Sequence, residues 1–173
     1  MIQNDKTVIT TYLEMLNRPA QIANETKDFG LIMRASKPTV SFYRFLYNTV
    51  GENWTWIDRK KLNDQSLKAI IQDEKVEVHV LYIKGVPAGY VELDFRQMDE
   101  VEIAYFGLMS EFIGQGLGEN LLQWAIHNAW DRNIKRLWVH TCSLDHPGAL
   151  KLYQKCGFKI YKTEEHEINK ETL

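Results

Sequence analysis

Cysteine is nearly absent from this chain, which holds two, Cys142 and Cys156. Two such residues build no disulfide framework, so a hydrophobic core must hold the fold. Proline is scarce at four residues. There is no Pro- or Ser-rich linker, no low-complexity tract and no internal repeat. No apolar run approaches the ~20 residues that span a bilayer, so no membrane partner is expected. Neither sign of charge dominates: 21 Lys and Arg face 23 Asp and Glu, a formal charge of −2. That balance carries no electrostatic footprint for nucleic acid. The opening residues, MIQNDKTVITTY, lack the basic start and apolar stretch of a secretory leader. The expected compartment is therefore the cytoplasm.

What is present fits an ordinary globular chain. The 173 residues are 45% hydrophobic, enough for one domain with a real core. Residues 1–28 read as an N-terminal extension able to supply an extra strand. Within it, Thr7 to Met15 is rich in β-branched residues and predicts a strand, with a short helix as the competing reading. Pro19 ends that segment, and residues 21–28 read as a polar loop. Phe29 to Ala35 predicts a strand. A helix comes next, capped by Thr39 or Ser41 and stopped at Gly51. A second runs from Leu62 to Asp73, with Asn63 or Asp64 as its cap.

After Asp73 the period changes. Val76, Val78 and Val80 alternate with Glu77 and His79, the pattern of a half-buried strand. Two more strands, AGYVELDF and Val101 to Met109, complete an antiparallel meander. A helix is expected from Leu117 to Trp130, then the strand KRLWVHTC. Another helix comes after it, with Pro147 near its start and Gly157 just past its end. The last strand is FKIYKTEEHEI. The strand–helix–strand unit from Val101 to Cys142 should be a parallel crossover. The expected fold class is thus mixed α/β, with a mostly antiparallel central sheet, one parallel strand pair and flanking helices.

One junction stands out. Between the third meander strand and its helix the chain reads SEFIGQGLGENLLQW. No Ser, Thr, Asp or Asn side chain stands where a helix cap belongs. Amides left free at a helix start favour an anion, and glycines let a phosphate approach without meeting a Cβ. The loop lacks the Gly-Lys-Ser/Thr of a P-loop. Its G-x-G-x-G spacing is also not the dinucleotide fingerprint. A plain tight turn is the alternative.

Two motifs narrow the choice. Gly114, Gly116 and Gly118 fit the x-G-x-G-x-G form of the pyrophosphate loop of the GNAT superfamily of N-acetyltransferases. Ile113 stands where that motif carries Arg or Gln. SLDHPGALKLYQKCGF is similar to the family's Asn-x-x-Ala-x-x-Leu-Tyr-x-x-x-Gly-Phe, with Ala149, Tyr153, Gly157 and Phe158 in register and Asp145 in the Asn position. The resemblance runs from about Phe29 to Ile160. It implies acetyl-CoA as donor, with the amides of Ile113, Gly114, Gln115, Gly116, Leu117, Gly118 and Glu119 around the pyrophosphate. It also implies a splayed parallel strand pair, with pantetheine between the strands near Phe106 and Leu108 and beside Asp145. An ionised aspartate accepts a hydrogen bond but donates none. Lys135, Arg136, Lys151 and Lys155 are candidates for the outer phosphates.

The implied chemistry is direct attack of a neutral amine on a thioester. An amine with a pKa of about 10.4 must first lose a proton, which costs roughly 4–5 kcal/mol at pH 7. Glu102 is the candidate base, at the position of the catalytic glutamate in the histone-acetylating branch; an exposed glutamate on an alternating strand is the bland alternative. Glu92 is the second candidate, as base or as a contact for the amine. Tyr153 is the candidate acid for the departing thiolate. Tyr43, Tyr47 and Trp54, with Glu92, Glu52 or Asp58, suggest an aromatic, acidic pocket for a small cationic amine; core packing is the competing reading. His140, Cys142 and His146 match no compact metal spacing, so no metal is expected. A non-catalytic acyl-CoA sensor is the alternative function, and a homodimer through a sheet edge is left open.

Overall fold

The computed structural model describes residues 6–20 and 29–168. In chain order the elements are β1 (Lys6–Met15), β2 (Leu31–Arg34), α1 (Val40–Val50), α2 (Asp64–Ile71), β3 (Val76–Ile83), β4 (Val86–Asp94), β5 (Glu100–Leu108), α3 (Leu117–Trp130), β6 (Arg136–Cys142), α4 (Ala149–Lys155) and β7 (Lys159–Ile168). The strands form one seven-stranded sheet in the order β2-β3-β4-β5-β6-β1-β7. Every neighbouring pair is antiparallel except β5 and β6. The polar loop expected over 21–28 lies outside the described residues.

Local chemistry sets most boundaries. Thr39 caps α1 by accepting from the Phe42 amide, and Asn63 caps α2 by accepting from Ser66. The second helix is therefore shorter than its apolar pattern suggested. Gly157 follows α4 with φ at +100°, a left-handed stop. Pro147 lies two residues ahead of that helix, outside its first turn.

The first strand resolves in favour of β over helix. It is an interior strand, with β6 on one side and β7 on the other, and its Leu13 is fully buried. The sheet separates two apolar clusters. One gathers Leu13, Leu93, Ile103, Leu121, Leu122 and Val139 under α3 and α4. The other gathers Tyr43, Leu46, Tyr47, Leu67, Val80 and Tyr90 under α1 and α2. Because helices cover both faces, β3 is buried on both sides and not half-buried, as its alternation suggested. Glu77 and His79 are enclosed there with 2% and 5% exposure. Their enclosure is compensated: Glu77 accepts from Arg132, lies 3.0 Å from Arg34 and 2.9 Å from His79. Burial works to raise the Glu77 carboxyl, but His79 and the two guanidinium groups hold it below the usual range.

One irregularity shapes the sheet near its parallel pair. Glu92 pairs with Tyr105 and Leu93 with Ile103, so Ala104 is an extra residue on β5. Such a bulge bends its strand and raises the local twist. β5 stays paired with β6 over four positions, Glu100↔Arg136 to Ile103↔Val139, and the two then part. Beyond that point β5 keeps only β4 and β6 keeps only β1.

The interior placement of β1 has a measurable consequence. Leu13→Ala should lose about 2–5 kcal/mol of unfolding free energy in urea, the cost of a cavity in a packed core. A loss of about 0.5 kcal/mol or less, the range of surface substitutions, would show instead that β1 is a dispensable addition.

Candidate active site

The parted strands open a cleft of about 1010 Å³. Its floor is β5 from Glu102 to Leu108 and β6 from Val139 to Cys142, and its lining reaches the glycine loop and Val8, Thr10 and Tyr12 of β1.

At the glycine loop, Gly114 and Gly116 have φ of +84° and +79°. A Cβ built on either meets nothing within 4 Å. Open space alone would admit a side chain; the left-handed backbone is what requires glycine. Gly116 is the N-terminal cap residue of α3, and no side chain caps that helix. Its first amides thus have no acceptor from the helix or from a cap. Ile113, Gly114, Gly116, Gly118 and Glu119 line the cleft, whereas the side chains of Gln115 and Leu117 do not. Gln115 turns back to the Glu111 carbonyl at 3.0 Å, and Leu117 enters the core at 8% exposure. Of the four basic residues considered for outer phosphates, Lys155 pairs at 2.6 Å with Glu119 of this loop, and Lys151 is exposed on α4. Lys135 pairs with Asp99, and Arg136 with Glu14 and Glu100.

Along the cleft, Phe106 and Leu108 supply the β5 wall. Tyr153 stands opposite on α4, with its ring 6.1 Å from Phe106. It is 5% exposed, and burial, with Asp145 adding to it, raises its phenol well above the ordinary value. Asp145 accepts from the Cys142 amide and the Thr141 hydroxyl at 2.8 Å each, and from Trp56 Nε1 at 3.3 Å. The Trp56 bond crosses the cleft. Trp54 makes a second crossing, packing edge-on to His146 at 5.0 Å. The loop between α1 and α2 is therefore strapped over the β6–α4 turn.

At the far end the predicted acceptor residues divide. Tyr47, Trp54 and Asp58 line the cleft; Tyr43 and Glu92 do not. Glu92 is fully buried. It accepts from Tyr43 and from Arg59 Nη2 at 2.5 Å. Burial pushes the Glu92 carboxyl up, Arg59 and Tyr43 pull it back, and the guanidinium is held firmly charged. Arg59 in turn lies over the Tyr105 ring at 5.1 Å and donates its backbone amide to the Tyr47 hydroxyl at 3.2 Å. Trp56 and Tyr105 pack on Tyr47 at 5.3 and 5.0 Å. Arg59 and Tyr105 were not singled out by sequence reasoning. The only signal for Arg59 was its place beside an aromatic-rich stretch; Tyr105 lies on β5, outside that stretch.

Glu102 lies at the apex where β5 and β6 part. Its side chain is 23% exposed and 3.5 Å from His140 Nδ1. Among the described residues no group of three or more His, Cys, Asp or Glu side chains gathers in a metal-like cluster.

The model of the acetyltransferase (GNAT) family matches residues 42–158, more than half of the chain. Solved structures agree in fold. The chain is similar to a conserved protein of unknown function from Staphylococcus epidermidis ATCC 12228, with a TM-score of 0.62 and 18% identity over 96% of this chain. It spans 63% of that protein's length. It is also similar to an IAA acetyltransferase from Bacillus cereus ATCC 14579, with a TM-score of 0.59 and 23% identity over 76% of this chain and 78% of that one. A third likeness is to an aminoglycoside acetyltransferase from an uncultured soil metagenomic sample in complex with sisomicin. There the TM-score is 0.61, with 13% identity over 75% of this chain and 88% of that one.

The Arg59–Glu92 pair should be strongly coupled. Arg59→Met strands a buried carboxylate and should lower unfolding free energy by about 3–5 kcal/mol. Adding Glu92→Leu should restore part of the loss. Equal losses in the single and double variants, read by urea denaturation, would contradict the coupling.

Proposed function

The chain belongs to the acetyltransferase (GNAT) family, and on that premise we propose that it moves an acetyl group from acetyl-CoA to the primary amine of a small molecule by direct attack on the thioester. The observation that carries this reading is the continuity of one cleft. It joins the uncapped start of α3 to the parting of β5 and β6, with Glu102 at its apex.

The residues fit a coenzyme A diphosphate at the glycine loop. Free amides point from a helix N-terminus, its dipole favours negative charge, and the glycines present no Cβ to hold the phosphates away. The Glu119 carboxylate would oppose an anion there, but Lys155 neutralises it. The backbone of β5 from Ala104 to Leu108, unpaired on its β6 side, offers amides and carbonyls to a pantetheine arm. Bound acetyl-CoA supplies the activated acyl group. Glu102 places a carboxylate beside the point where the amine must shed its proton. Tyr153 is placed to hydrogen-bond a departing thiolate. Its raised phenol makes it a donor that keeps its proton, so its contribution is charge stabilisation more than full transfer.

The acceptor end supports a small cationic amine. Tyr47, Trp56 and Tyr105 present aromatic surface and Asp58 and Glu102 present negative charge; of the lining cations Arg59, Lys61 and Arg96, Arg59 is paired with Glu92 and Arg96 with Asp94. The Trp54 and Trp56 crossings narrow the way in, which favours a small molecule over a macromolecular side chain.

Three measurements test the reading. Coenzyme A at one hundred times its Kd should stabilise the protein by about 2.7 kcal/mol and raise Tm by roughly 5–10 °C. Gly116→Val should abolish that increment. The strained backbone also lowers the free protein's Tm, so the increment alone is diagnostic. An intact increment in the variant would remove the loop from the site. Thiol release from acetyl-CoA across an amine panel separates transferase from sensor, since binding without turnover with any amine supports the sensor. In an active enzyme, Tyr153→Phe should lower kcat on the order of 10²-fold with little change in KM for acetyl-CoA; an unchanged kcat would remove Tyr153 from the chemistry.

A further inference from the structure

We propose that His140, and not Glu102, takes the proton from the acceptor amine, with Glu102 as the positioning partner behind it. The inference rests on the transferase reading and names the base within that site.

Register brings the two together. Glu102 pairs with Trp138 in the parallel ladder, so strand alternation returns His140 to the face that Glu102 occupies. His140 is the first β6 residue beyond the last paired position, Ile103↔Val139. Its Nδ1 approaches the Glu102 carboxylate at 3.5 Å. Its Nε2 makes no hydrogen bond to any described residue. Both side chains line the cleft, and His140 is the more open, at 44% against 23%. The ring is braced by Trp138 at 6.2 Å and by Tyr12 at 5.7 Å. A carboxylate partner on Nδ1 fixes the tautomer that leaves the Nε2 lone pair free.

Chemistry favours the imidazole. A lone carboxylate with a pKa of about 4.3 is a weak acceptor for an amine proton, whereas a base nearer neutrality is better matched to the task. The charged surroundings support this. Glu102 raises the affinity of His140 for a proton, burial opposes it, and Asp145 and Asp58 add to the rise. Tyr12, from β1, donates its hydroxyl to Glu164 at 2.8 Å, and Glu164 pairs with Lys162 at 2.5 Å. The cations over the two bracing rings are paired with carboxylates: Lys162, over Tyr12, with Glu164, and Arg136, over Trp138, with Glu14 and Glu100.

Atoms and charge balance in this step. The amine nitrogen forms a bond to the thioester carbon, and the carbon–sulfur bond breaks with its electron pair on sulfur. The nitrogen's proton passes to His140 Nε2, and Glu102 stabilises the imidazolium. The thiolate, held by Tyr153, gains a proton from solvent, and His140 returns its own proton to solvent.

The test combines an NMR titration of the His140 ring with pH–rate profiles corrected for ionisation of the amine. The ring of the free protein should titrate above ordinary histidine, and Glu102→Gln should move it down. In kcat/KM, wild type should lose rate as pH falls through that titration. Glu102→Gln should shift the acid limb to lower pH, and His140→Gln should remove it with a loss on the order of 10² or more at neutral pH. A limb that survives in His140→Gln overturns the proposal while leaving the transferase reading intact. A ring titration indifferent to Glu102→Gln overturns it as well. No turnover by wild type with any amine overturns both, even if the ring titrates as expected.

Discussion

Everything in the site is placed by the short life of one parallel pairing. β5 and β6 share four positions and then diverge. The Ala104 bulge bends β5 at that point, and neither strand can swing back. β4 holds β5 as far as Leu108, and β1 holds β6 as far as Cys142. The outer sides of the V are thus fixed by ladders, and the inner sides carry backbone groups without a strand partner. Buried backbone amides and carbonyls need hydrogen-bond partners. A polar, extended ligand is one solution that a wider apolar filling could not provide. The glycine loop sits at the open end of the V and the Glu102–His140 contact at the closed end, so one geometric fact sets the distance between the uncapped amides and that pair.

Three glutamates show what sequence can and cannot say about chemistry. Glu77, Glu92 and Glu102 each follow a valine and precede a valine, leucine or isoleucine on a strand. Locally they are interchangeable. Long-range partners separate them. Glu77 meets Arg34, Arg132 and His79 beneath α3. Glu92 meets Arg59 and Tyr43 beneath α1. Glu102 alone lines the cleft, facing His140 across the parting strands. Two carboxylates are closed structural ions and one remains accessible. The difference comes from arginines 33 to 55 residues away in sequence for the closest hydrogen bonds, which no local pattern encodes.

The same contrast runs through the fold. Elements with local causes were legible: α3 from Leu117 to Trp130 by its apolar stripe, the caps at Thr39 and Asn63, the meander by its turns, and the uncapped glycine junction. Burial was less so. Alternation in β3 predicted one wet face, but α3 covers that face, and Glu77 and His79 are accommodated by partners from β2 and the end of α3. The interior position of β1 had no signal, because a β-branched strand reads alike at an edge or in the middle of a sheet. The site obeyed the same rule. The loop glycines were visible because left-handed backbone selects glycine, whereas His140 acquired its partner only through the β5–β6 register.

The character of the proposed anion seat is set by which charges around it are paired. Near the glycine loop, Lys155 is already engaged with Glu119, while Lys135 and Arg136 pair with Asp99, Glu14 and Glu100 elsewhere. Besides Lys151, exposed on α4, what the loop itself offers an anion is a set of fixed backbone dipoles at the start of α3. Dipoles act over the terminal turn of a helix and little beyond it, unlike a field of unpaired lysines, which reaches a Debye length into solution. On the proposed reading, such a seat favours a diphosphate that enters the loop over an extended polyanion passing outside it. That selectivity agrees with a chain whose formal charge is −2.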